Sequence, residues 1–183
     1  TPFEHAEDIV HELQHERMYL LLETGAFGRW GDKRQQFVSP YRTDPRPLQG
    51  LHLGIHSFLA VIGVRPSAIE SRPDLILPEW RFQFLKPHRC NLLSFRAIHD
   101  FEEPTELGRK LLAQMARELS LQHGPIEATV DGEMNTKCEV GMRQHFAAVA
   151  AGGPLLNSSE RYLDWAEAAR LAERYAQEHG EAR

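Results

Sequence analysis

Residues 11 to 15 read His11-Glu12-Leu13-Gln14-His15, the pattern H-E-x-x-H. Two histidines four residues apart point the same way only on an α-helix, so the pentapeptide constrains its own backbone. The flanking sequence agrees. Residues 6 to 24 contain no Gly or Pro, Glu4, Glu7 and Asp8 cluster at the start, and Gly25 follows the end. Acidic residues favour a helix N-terminus, and glycine a stop. His11, His15, Met18 and Leu22 fall on one face, so the histidines share their side of the helix with apolar residues and are expected to point inward.

On such a helix, two imidazoles can hold one metal ion, and the intervening Glu12 can act as general base toward a metal-bound water. The pentapeptide also arises by chance in helices rich in His and Glu, and an ordinary polar helix is then the plain alternative. The third ligand decides the class. A metzincin extension needs Gly at position 18 and His at position 21, where Met18 and Leu21 stand. A gluzincin places a downstream carboxylate, and none occurs between Gly50 and Val64. That stretch offers His52 and His56 instead, themselves four apart in "GLHLGIHSF". Either is a candidate third ligand, with a pair of structural histidines as the alternative. His5, His88, His99, His123, His145 and His179 are scattered and read as structural or solvated.

The rest of the chain reads as mainly α. Residues 25 to 50 are rich in Gly, Pro, Arg and Asp and form an expected long loop, of a length that is usually functional. A second helix is expected from Pro47 to Val64, with Leu48, Leu51, Ile55, Leu59 and Ile62 at helical spacing. Residues 65 to 78 read as a proline-punctuated connection. Residues 79 to 99 alternate in "RFQFL" but turn helical afterwards; a helix is favoured, broken or kinked at Pro87. Another helix starts near Pro104, places Leu107, Leu111, Met115 and Leu119 on one face, and is expected to stop at Gly124. Asp131-Gly132 reads as a turn. A last helix is expected after an N-cap at Ser158 or Ser159, with Tyr162, Trp165, Ala169 and Ala172 inward.

With 183 residues, a single domain spanning 1–183 is expected: the HExxH helix packed against a second His-bearing helix, with the long loop between them. The chain does not begin with Met and the motif lies within its first fifteen residues, so an N-terminal portion of the natural protein is expected to be missing. The net charge of −5 gives no reason to expect nucleic acid or an anionic membrane as partner. No apolar run is long enough to span a bilayer. Cys90 and Cys138 are far apart and lack metal-ligand spacing, which points away from a disulfide scaffold and toward the cytoplasm.

The stretch "IVHELQHERMYLLLE…VSPYRTDPRPLQGLHLGIHSFLAV", together with "EPTELGRKLLAQMA", resembles the HExxH-motif family associated with modification of ribosomally made peptides. The match covers residues 9 to 62 and adds the patterns HExQH and SPxRxDPRPLxG, which together are far more specific than HExxH alone. The resemblance implies a non-haem Fe(II), 2-oxoglutarate-dependent hydroxylase that uses O2 to oxidise side chains of a precursor peptide. It makes His11 and His15 iron ligands, with His52 or His56 as the third. Family members often carry His one position after 52, where this chain has Leu53, so the choice between His52 and His56 stays open.

The same resemblance gives Arg42 and Arg46 a role. One of them would hold the distal carboxylate of 2-oxoglutarate through a planar, permanently charged fork, with Tyr41 and Ser39 adding hydrogen bonds. The plain alternative is that Asp44 pairs with an arginine and the loop is a structural turn. Two other functions compete with the hydroxylase: a zinc peptidase with Glu12 as base, and a non-catalytic peptide-binding module.

Overall fold

The computed structural model describes the backbone of residues 2–24, 28–29, 35–71 and 78–180, and side chains within 5–24, 35–63 and 83–180. Its helices are α1 (Pro2–Glu23), α2 (Leu48–Ser71), α3 (Pro78–Phe101), α4 (Glu106–Glu127), α5 (Gly132–Ala150) and α6 (Trp165–His179), with a 3-10 turn at Glu160–Leu163. Two-residue strands β1 (Gly28–Arg29) and β2 (Glu103–Pro104) pair antiparallel. The fold is mainly α, as the sequence indicates. No described helix is long and apolar enough to cross a membrane. Parts of the expected long loop (25–27, 30–34) and of the expected connection (72–77) lie outside the described residues.

The α3 helix is the centre of the domain. From His88 to Ile98 every residue but Arg96 is buried. Leu92, Phe95 and Ile98 join a core with Met18, Leu51 and Ile55. Leu85, Cys90 and Leu93 face a second core with Met142, Phe146 and Leu163. A helix covered on all sides need not show an amphipathic stripe. This explains the mixed signal in its sequence and why Pro87 sits inside the helix without ending it. A proline costs about 3 kcal/mol in a helix interior, less than burying several large side chains returns.

Four expected boundaries are corrected. The backbone from 65 to 71 continues α2 rather than forming a connection. The α4 helix runs through Gly124 and Pro125 to Glu127. Its buried face from Gly108 to Leu119 fixes the rod, and one glycine costs only about 1 kcal/mol against alanine. Asp131 is not merely a turn residue: its side chain accepts from the Met134 N–H and caps α5. Ser159 precedes the 3-10 turn, and Asp164 caps α6 by accepting from the Glu167 N–H.

Cys90 and Cys138 are both free thiols. Burial pushes the Cys90 thiol up to about 12, and it donates to the Pro40 carbonyl at 3.3 Å.

Candidate functional site

The α1 helix lies against α2, and the HExxH histidines meet at that contact. His11 Nε2 and His15 Nε2 are 2.9 Å apart, with rings nearly perpendicular. Both rings are half-buried. Burial, reinforced by the neighbouring His15, lowers the pKa of His11, which favours the neutral ring a metal ligand needs. Glu12 projects to solvent beside the pair.

A residue that the sequence reading missed sets the tautomer. Ser57 on α2 is fully buried; its hydroxyl donates to the Leu53 carbonyl at 2.9 Å and lies 3.1 Å from His15 Nδ1. A serine hydroxyl carries one proton. With that proton committed to Leu53, Ser57 can only accept from His15, so the ring proton sits on Nδ1 and Nε2 presents a bare lone pair. His11 Nε2–H then donates to that lone pair. A ring whose far nitrogen is fixed by a hydrogen bond is how proteins orient metal-binding histidines.

These two residues fit a metal ion once the His11 proton moves from Nε2 to Nδ1, which bares both facing nitrogens. Adjacent ligand nitrogens at the usual metal–imidazole bond of about 2.1 Å stand roughly 3 Å apart at a right angle. The third ligand does not arrive. Among the described residues no group of three His, Cys, Asp or Glu side chains converges as a metal site. His52 is fully buried, and its Nε2 lies 3.0 Å from the Glu102 carboxylate, between α2 and the end of α3. His56 turns toward α1 and lies beside the Gln14 backbone. Its Nδ1 is buried without a hydrogen-bond partner. Burial, then the nearby Arg17, lower the His56 pKa and keep the ring neutral.

The proline-rich loop closes on itself. Phe37 and Arg46 exchange backbone hydrogen bonds of 2.8 and 3.0 Å. Asn157, far along the chain, clamps Val38 from both sides, accepting from its N–H at 2.6 Å and donating to its carbonyl at 3.1 Å. His145 donates to the Ser39 carbonyl at 2.7 Å. Ser39 is buried, and its hydroxyl accepts a long 3.4 Å bond from the Tyr41 N–H.

Tyr41 links this loop to the histidines. Its phenol donates to Asn91 at 2.6 Å, and burial raises its pKa well above the ordinary value, so it stays protonated. Its ring stacks on Phe58 at 5.0 Å, and Phe58 meets the His11 ring edge-on at 4.9 Å. This packing requires Gly54: a Cβ there would stand 2.5 Å from the Tyr41 ring.

Arg42 and Arg46 both engage Asp44, at 3.2 and 2.8 Å. Arg42 is 62% exposed; Arg46 is 34% exposed, and its buried Nε has no hydrogen-bond partner. The structural turn weighed from the sequence is therefore present, and it engages both arginines.

Of the residues singled out from the sequence, the structure brings together His11 and His15, places His56 one residue from Ser57, and reaches the pair from Tyr41 through Phe58. It directs His52 to Glu102 and the two arginines to Asp44. Ser57, Phe58 and Gly54 were in plain view in "GIHSF", but no local rule singles them out. No protein-family model, curated protein or solved structure matches this chain.

Proposed function

We propose that this chain is an Fe(II)- and 2-oxoglutarate-dependent hydroxylase of peptide side chains, with metal bound by His11, His15 and His56. The observation that carries the reading is the Ser57–His15–His11 chain, in which the His15 Nε2 lone pair faces a second imidazole at 2.9 Å. The resemblance of residues 9 to 62 to the peptide-modification family supports the choice of iron over zinc. His56 is preferred to His52 because it turns toward α1, the helix that carries His11 and His15, whereas His52 faces the buried Glu102 carboxylate at the end of α3.

Bound iron would supply the chemistry in which O2 takes four electrons, two from a peptide C–H bond, which becomes C–OH, and two from 2-oxoglutarate, which leaves as succinate and CO2. The protein's own part is positional. Ser57 holds His15 in its ligating tautomer, and Phe58 and Tyr41 wall the His11 ring against water. Arg46, half-buried with a free Nε, takes the distal carboxylate. Asp44 holds Arg46 until then.

The test is anaerobic titration of 2-oxoglutarate into Fe(II)-loaded protein, followed by metal-to-ligand absorbance, then O2 admission and assay for succinate. One cosubstrate per iron and succinate formation are expected. Iron binding without any 2-oxoglutarate response overturns the reading. Zinc-dependent peptide cleavage lost in Glu12→Gln would establish the peptidase instead.

A further inference from the structure

A groove of about 410 Å³ runs over α2 between α1 and α4. Its size lies within the range of small-ligand and side-chain pockets. Leu21, Leu59, Ala60 and Met115 give it an apolar floor. Gln14 and His56 close one end. Each directly precedes one member of the His15–Ser57 contact, so the groove ends one residue from that contact along both helices.

The rim is charged in a definite pattern. Arg17 lines the α1 side and Glu118 the α4 side. Both are exposed, and neither enters an ion pair with another described residue. Elsewhere on the surface, arginines commonly find a carboxylate: Arg143 with Glu139, and Arg170 and Arg174 with Glu167. Gln14 and Gln114, one on each side, carry amides able to donate to and accept from a backbone.

We propose that this groove binds the peptide substrate, taking an apolar side chain onto its floor, with an acidic residue beside it facing Arg17 and a basic one facing Glu118. The substrate class rests on the hydroxylase reading; the groove chemistry does not. An extended peptide suits the site because its side chains alternate: one enters the floor, and its two neighbours emerge toward the two rims. The glutamines then meet the peptide's own N–H and C=O groups. Met115 lets the floor adapt to side chains of different shape. The segment leaving past Gln14 and His56 reaches the His11–His15 pair, which places a residue close to the apolar anchor at the metal.

The experiment uses fluorescein-labelled hexapeptides with a central Leu flanked by Glu and Lys, by two Glu, by two Lys, or by two Gln. Anisotropy is measured on the full chain without metal or O2. The Glu/Lys peptide should bind tightest, by about fivefold over the Gln peptide, as expected for exposed charge pairs. Arg17→Glu should move the preference to the two-Lys peptide, and Glu118→Lys to the two-Glu peptide. Ala60→Trp, which fills the floor, should weaken all four, with circular dichroism confirming that it folds. Absence of binding, or preferences that neither reversal changes, overturns the proposal. Charge-dependent binding with no succinate formed under iron, 2-oxoglutarate and O2 leaves the groove standing and sinks the oxygenase. Succinate formation without charge-dependent binding does the reverse.

Discussion

The molecule contains two histidine pairs of nearly equal spacing. His11 and His15 approach to 2.9 Å on α1. His88 Nε2 and His123 Nδ1 approach to 3.1 Å between α3 and α4. Their surroundings differ in depth of burial and in the charge packed beside them. The first pair is half-buried, with Glu12 and Asp8 both raising the His11 pKa against the pull of burial. The second has a fully buried His88 next to Arg89, which forks onto Glu127 at 3.0 and 3.1 Å and stacks over Trp165. Burial, then His123 and Arg89, push His88 down to about 3. Distance between imidazoles therefore does not make a metal site. Carboxylates lie near both pairs, Glu12 and Asp8 at the first and Glu127 and Glu173 at the second, but only the second is deeply buried beside a guanidinium, which opposes an added positive charge.

The largest effect that would break this contrast is loss of metal from the wrong pair. His15→Ala should abolish stoichiometric metal binding, whereas His123→Ala should leave it intact. Equilibrium dialysis with Fe(II) under anaerobic conditions checks both; retained binding in His15→Ala would remove the site assignment.

The second effect is on stability against pH. His88 has a folded pKa below its unfolded value, so the unfolded state binds the extra proton first as pH falls. Stability attributable to His88 is then complete above about pH 6.5 and declines toward its folded value near 3, by about 1.4 kcal/mol per pH unit for one group. Urea melts at pH 7 and 5 should show this loss in the wild type and a shallower dependence in His88→Leu. Equal slopes would show that the buried pair is not the acid-sensitive element.

A smaller effect separates the tautomer from the packing. Ser57→Ala should weaken metal binding roughly ten- to a hundredfold with little change in melting temperature, and Ser57→Thr should restore part of it. In the metal-free protein, nitrogen NMR should report Nδ1–H on His15 in wild type and a mixed tautomer in Ser57→Ala. A single unchanged tautomer in that variant would dismiss the Ser57 relay, whatever the metal does.

The smallest effect belongs to Arg42. It is exposed, and its bond to Asp44 is of the surface kind, so Arg42→Ala should change stability by less than about 1 kcal/mol in chemical denaturation. A larger loss would mean that the loop depends on that ion pair rather than on its backbone bonds.

The first histidine pair was legible because helix pitch alone joins residues four apart. The mainly helical fold was legible for the same reason, through periodic apolar positions in α2 and α4. The second pair was not, because 35 residues separate His88 from His123 and only the packing of α3 on α4 joins them. The commitment of His52 to Glu102 was hidden in the same way. Arg42, Asp44 and Arg46 stand within five residues, so their pairing was foreseen as the alternative to a cosubstrate site. Ser57 lay beside a histidine already singled out, but its role depends on a partner 42 residues earlier.

The Asn157 clamp on Val38 spans 119 residues. A loop that carries Ser39, Tyr41, Arg42 and Arg46 is thus held by a side chain that follows Val38 by 119 residues. On the ribosome, α1 and α2 emerge long before the residue that fixes the segment between them. Contacts of such long range form late, and they slow folding because loop closure precedes any reward. Anchoring of the loop beside the histidine pair is therefore tied to synthesis of a distant segment, and a chain cut short before Asn157 would carry the motif without its anchored loop.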